Sequence, residues 1–120
     1  MNLNSILIGS EDPGRLADYY KRLFGEASWD EGGYTGWRIG DGGVMVGPHD
    51  QVKGSNRDPG RIIWNIESAD VPGEFERLKA AGAIVVREPY QMGDPSATNV
   101  AWIATLADPD GNYFQLVSPM

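Results

Sequence analysis

One pattern occurs twice in this chain: a short apolar run, an aspartate, an apolar stripe at helical spacing and a glycine. The first copy runs from Leu3–Ile8 through Asp12-Pro13 and Leu16, Tyr20, Leu23 and Phe24 to Gly25. The second runs from Arg61–Glu67 through Asp70 and Val71, Phe75 and Leu78 to Gly82. Aspartate caps a helix by accepting from its first free N–H groups, and proline suits the first helical position. Glycine suits the left-handed turn that ends a helix. Three further strands follow each predicted helix. They are Ala27–Trp29, Tyr34–Ile39 and Val44–Val46 in the first copy, and Ala83–Val86, Thr98–Leu106 and the run from Tyr113 in the second. Each copy closes on an Asp-Gly hairpin, at Asp41-Gly42 and at Asp110-Gly111. Two tandem βαβββ modules of an α+β fold are the simplest account. They occupy 1–48 and 61–120, with a polar connector over 49–60, inside one domain of 1–120. Pro89–Ala97 reads as a loop.

Composition excludes several function classes. No cysteine is present, which removes disulfides, thiolate nucleophiles and thiolate metal sites together. The formal net charge is −7. Nucleic acid is not an expected partner, because its binding rests on Lys and Arg contacts to phosphate. An acidic surface concentrates cationic ligands, and it also serves solubility alone. No leader-like segment and no membrane-length apolar run is visible, so a cytoplasmic protein without membrane contact is expected.

The last hairpin, Asp108-Pro109-Asp110-Gly111-Asn112, leads into a strand with Tyr113, Gln115 and Val117 on one face and Phe114 and Leu116 on the other. With this motif, with Asp12-Pro13 through Tyr20 and Leu23-Phe24-Gly25, and with Glu76 to Gly82, the chain resembles the vicinal oxygen chelate superfamily. That superfamily includes glyoxalase I, bleomycin-resistance proteins and extradiol dioxygenases. The resemblance implies paired modules whose mixed sheets curl into a cup with flanking helices, in a homodimer. Metal-dependent members hold a divalent ion in the cup with four side chains, commonly His, Glu or Gln. Counting from the aspartate caps and the hairpin glycines places Ser5, Val46, Ile63 and Gln115 at the matching positions.

Valine and isoleucine cannot ligate a cation, and serine and glutamine are weak ligands. A register shifted by two on the same face adds Asn65 and Glu67, with Leu3, Leu7, Val44, Tyr113 and Val117, which is still a thin donor set. The single histidine, His49, opens the connector. Glu67 can act as a base if buried in an apolar cup, and as a plain strand-end carboxylate if not. Trp29, Trp37, Trp64 and Trp102 fall in predicted strands with Tyr34 and Tyr113 nearby. Trp64 is expected on the helix side, while Trp37 and Trp102 are candidates either for core or for lining the cup.

The expected function is therefore a small-molecule-binding protein without metal or cofactor, taking a hydrophobic or cationic ligand in the cup. Its candidate ligand-binding residues are Ser5, Leu7, Trp37, Val46, Ile63, Asn65, Glu67, Trp102, Tyr113 and Gln115. The alternative is a metal-dependent glyoxalase-like lyase or isomerase, or a dioxygenase, with a degenerate site around Gln115. A sensor or partner-binding subunit is a third possibility.

Overall fold

The structure, a computed structural model, describes residues 1–94, 96 and 100–119. The chain divides into two compact units, Met1–Ser55 and Asn56–Met120. Unit 1 contains β1 (Ser5–Ser10), α1 (Pro13–Phe24), β2 (Trp29–Glu31), β3 (Tyr34–Ile39) and β4 (Gly42–Pro48). Unit 2 contains β5 (Trp64–Glu67), α2 (Val71–Ala80), β6 (Ile84–Met92), β7 (Ala101–Ala107) and β8 (Tyr113–Val117). The sheets have strand orders β1-β4-β3-β2 and β5-β8-β7-β6. In each, the outer strand ahead of the helix pairs in parallel with the last strand, and the other pairs are antiparallel. Two βαβββ modules of an α+β fold are thus present, as the repeat requires.

Both helices begin by the same device. The Asp12 side chain accepts from the Arg15 N–H at 3.2 Å, and Asp70 from the Gly73 N–H at 3.1 Å. A serine two residues earlier steadies each cap: Ser10 Oγ accepts from the Asp12 N–H at 3.1 Å and Ser68 Oγ from the Asp70 N–H at 3.2 Å. This Ser-x-Asp signal extends the repeat beyond the aspartates. Gly25, at φ +87°, ends α1, and its N–H donates to the Lys21 carbonyl. Gly82, at φ +105°, follows α2.

Each helix covers one side of its own sheet. In unit 1, Leu16, Tyr19, Tyr20 and Leu23 are buried with Trp37, Val44 and Val46. The Trp37 indole N–H donates to the Gly25 carbonyl at 2.9 Å, which fixes α1 over that side. In unit 2, Val71, Phe75 and Leu78 are buried with Ala104, Leu106, Phe114 and Leu116, and Trp64 stacks on Phe114 at 5.2 Å. Each fully buried large apolar side chain contributes about 1.5–3 kcal/mol over exposure, so these two layers are the main stabilising terms.

Several strand bounds differ from the sequence expectation. β1 starts at Ser5, leaving Leu3 84% exposed, and β5 starts at Trp64, leaving Ile62 78% exposed. β6 runs on past Val86 to Met92, through a segment expected to be loop. Pro89 fits there because β6 is an edge strand whose register shifts between Val85 and Arg87 and between Arg87 and Tyr90. The expected loop end at Ala97 and strand start at Thr98 lie outside the described residues.

The two hairpins also differ. Ile39 pairs with Gly42, so the first turn is Gly40-Asp41, with Gly40 at φ +59°, and Gly42 already belongs to β4. Ala107 pairs with Tyr113, so the second loop is Asp108–Asn112. There the buried Asp108 carboxylate accepts from the backbone N–H of Asp110 at 2.9 Å and of Asn112 at 3.0 Å. Among the described residues, no helix is long and apolar enough to cross a membrane.

Candidate ligand-binding faces

The side of each sheet turned away from its helix carries the side chains that the helix does not cover, although in unit 2 Ile103, Thr105 and Ala107 are buried on that side as well. Register defines these open faces. In unit 1, one row crosses all four strands: Trp29 pairs with Gly36, Gly36 with Met45, and Met45 with Leu7. In unit 2 the matching row is Arg87, Thr105, Gln115 and Asn65. Leu7 and Asn65 hold the same place ahead of Asp12 and Asp70, so the rows correspond strand for strand.

Unit 1's open face is built on glycine. A Cβ added to Gly36 would overlap the Trp29 ring, and one added to Gly47 would overlap the Tyr34 ring. At Gly43 an added Cβ would lie 3.3 Å from the same indole, and at Gly9 it would lie 2.9 Å from the His49 Cβ. Glycine inside a strand marks a close approach, and at Gly36 and Gly47 the approaching groups are rings. Trp29 remains 37% exposed and Leu7 53% exposed. A small hollow of about 50 Å³, lined by Asn4, Trp29, Arg38, Asp41, Gly42 and Gly43, adjoins the indole. Two larger hollows of about 370 Å³ lie elsewhere in unit 1, one along α1 beside Asp30 and Thr35, the other around Ser10, Glu11, His49 and Lys53. Neither is lined by Trp, Tyr or Phe, so neither offers a ring platform.

Unit 2's open face is polar along its central row. Gln115 Nε2 donates to Thr105 Oγ1 at 3.1 Å, and Thr105 is only 7% exposed. The Arg87 guanidinium carbon stands 3.5 Å from the centroid of the Tyr90 ring. Asn65 and Glu67 are exposed beside them on β5.

The sequence candidates divide on this geometry. Ser5 and Leu7 lie on unit 1's open face; Asn65, Glu67, Tyr113 and Gln115 lie on unit 2's. Ile63 is half-buried just ahead of β5. Three placements need correction. Val46 faces α1 at 1% exposure, together with Val44, because the first hairpin is tighter and the same count from its glycine lands on the opposite side. Met45 holds the position matching Gln115. Trp37 is 2% exposed on the helix side, and Trp102 shares the face of Ala104 and Leu106. Trp64 faces the helix as expected.

The donors at the positions expected for a metal are few among the described residues. No group of three or more His, Asp or Glu side chains converges among the described residues. Gln115 is engaged with Thr105, and the corresponding unit 1 position is a thioether. His49 Nδ1 accepts from the Gln51 N–H at 3.1 Å. Glu67 is exposed rather than enclosed in an apolar pocket.

The sequence profile of the Glyoxalase-like domain matches residues 5–117. The chain belongs to that family. Its fold is shared with solved structures of low identity. TioX from Micromonospora sp. ML1 superposes with a TM-score of 0.73 at 20% identity, covering 100% of both chains. A glyoxalase/bleomycin resistance protein/dioxygenase family enzyme from Burkholderia phytofirmans PsJN gives 0.71 at 18% identity, again over 100% of both. A glyoxalase-related enzyme from Fulvimarina pelagi gives 0.71 at 19%, covering 99% of this chain and 88% of that one. No curated protein matches the sequence. These likenesses place this glyoxalase-like chain in the vicinal oxygen chelate superfamily, with two βαβββ modules as its fold.

Sequence reasoning named Trp29 and Tyr34 among the aromatics without placing them, and missed Met45, Arg87, Tyr90 and Thr105. The available signal for the first pair was glycine inside strands, at Gly36 within Tyr34–Ile39 and at Gly47. Arg87 carried no such signal, because Pro89 made its segment read as loop.

Proposed function

We propose that this protein is a cytoplasmic, metal-free small-molecule-binding protein that takes a planar apolar or cationic ligand on the open face of unit 1. The supporting observation is the Trp29 ring laid on Gly36 and Gly43, with Tyr34 laid on Gly47 beside it. Two rings held flat by the absence of Cβ atoms form a stiff platform, and stacking on such rings adds about 0.5–1.5 kcal/mol beyond buried area. Leu7 and Met45 extend the row with flexible apolar contact. A cation gains further from the indole face and from the net charge of −7. We propose also that the chain works as a homodimer, in keeping with the exposure of Leu7 on the edge strand β1 and of Leu3 just ahead of it.

The test is calorimetry of the whole chain against planar aromatic compounds, neutral and cationic, with glycopeptides of bleomycin type among them. Binding that weakens about tenfold in Trp29→Ala supports the reading. Absence of binding at high micromolar concentration by every compound overturns it. Stoichiometric Mn²⁺, Ni²⁺, Zn²⁺ or Fe²⁺ in untagged protein would instead favour the metal-dependent lyase, isomerase or dioxygenase.

A further inference from the structure

Arg87 is unusual for a cation on an acidic chain. Among the described residues its recorded partner is the Tyr90 ring, and no carboxylate lies within ion-pair distance of it. Its neighbour Glu88 points the other way, with Oε1 3.7 Å from the Lys79 ammonium on α2. The stacking therefore holds the guanidinium over the open face of unit 2, where Tyr90 pairs with Ile103. A guanidinium resting on a ring keeps its N–H edge available, and that fork matches a carboxylate in two parallel hydrogen bonds.

Thr105 is the next member of the row, directly across from Arg87. Side chains so paired have Cβ atoms about 4.5–5.5 Å apart, close enough for one anionic group to touch both. The Thr105 hydroxyl accepts from Gln115 Nε2, so its own proton is left for an acceptor. Apolar side chains with exposed surface flank the row on both sides, Ile84 and Tyr113 on one and Tyr90 and Val117 on the other, while Ala107 and Ile103 between them are buried. Met92, 46% exposed, extends the second strip. Charge limits the occupant. Only one cation stands in the row, Glu67 shares the face, and the chain carries −7, so a multiply charged anion is disfavoured.

We propose that the open face of unit 2 binds a singly charged carboxylate with an apolar body, gripped by the Arg87 fork and the Thr105 hydroxyl. The apolar body lies along the flanking strips. This site stands on unit 2 alone and does not rest on the platform of unit 1.

The experiment is an NMR titration of the whole ¹⁵N-labelled chain with benzoate, with benzamide as its neutral counterpart and with inorganic phosphate. The expected result is that benzoate moves the Arg87 Nε–H and Gln115 side-chain amide signals while benzamide and phosphate do not. Arg87→Gln should weaken benzoate about tenfold or more, with Arg87→Lys restoring only part, and Thr105→Val should weaken it by a smaller factor. Unchanged binding in a folded Arg87→Gln variant overturns the proposal, as does equal binding of benzamide. Equal binding of phosphate overturns the carboxylate preference. The signals read are those of Arg87 and Gln115, so failure here is distinct from failure of the planar-ligand test at Trp29.

Discussion

The same four-strand row carries opposite chemistry in the two units. In unit 1 it reads Trp29, Gly36, Met45, Leu7, and in unit 2 it reads Arg87, Thr105, Gln115, Asn65. Backbone pairing is shared, and so are the aspartate caps and the helix-side burial. Helix-facing and open-face side chains alternate along the same strands, and the two units share the first set far more closely than the second. Side chains facing α1 and α2 are held to one chemistry by packing, whereas those on the open faces differ in chemistry between the units even where, as at Thr105, they are buried.

Substitutions that exchange the rows break this comparison most strongly. Gly36→Thr, which gives unit 1 the residue of unit 2, drives a Cβ into the Trp29 ring. It should cost about 1–3 kcal/mol in urea unfolding and abolish planar-ligand binding, as overpacking does. If stability and binding both survive, the indole is not held by glycine. Thr105→Val is next: it strands the Gln115 amide and should cost about 1 kcal/mol, while Thr105→Val with Gln115→Met should be nearly neutral in the same assay. A double variant as unstable as the sum of its parts would deny the pairing.

What the units share gives a smaller, matched effect. Asp12→Ala and Asp70→Ala should each cost about 1 kcal/mol in thermal unfolding, since both lose the same hydrogen bond. Unequal losses would show that the serine beneath each cap contributes differently. Smallest is Arg77→Gln. The Arg77 guanidinium, hydrogen bonded to Glu74 at 2.7 Å, holds that carboxyl below its ordinary 4.5. A lowered folded value stabilises above the unfolded one and is lost as pH falls through the folded one. The variant should therefore lose only about 0.2–0.5 kcal/mol near neutrality, and nothing once the medium is acid enough to protonate Glu74 in both states. A loss that persists at low pH would assign it to packing of the Arg77 stem.

Much of the fold was legible because its signals are local. Asp12 and Gly25, like Asp70 and Gly82, bound their helices through backbone hydrogen bonds that lie within a few residues. The open faces depend on longer-range quantities. Val46 was misplaced because the turn at Gly40-Asp41 is tighter than the loop Asp108–Asn112, and an odd difference in loop length inverts the face. Trp37 and Trp102 were ambiguous because strand parity needs a known strand end. Trp29 was hard to place because β2 spans only Trp29–Glu31, too short for alternation to show. Arg87 was lost because proline usually ends a strand, and only an edge position with shifted register admits Pro89.

The separation of faces by residue parity has a consequence for descent. A copied module can exchange its open-face residues one codon at a time while the helix-side residues stand still, because side chains on the two sides of a strand point in opposite directions. Divergence then accumulates on one side of each sheet without loss of the scaffold. Structures at 18–20% identity share this fold over 100% of the chain. Ancestry, on this view, is recorded on the helix side of each strand and adaptation on the open side.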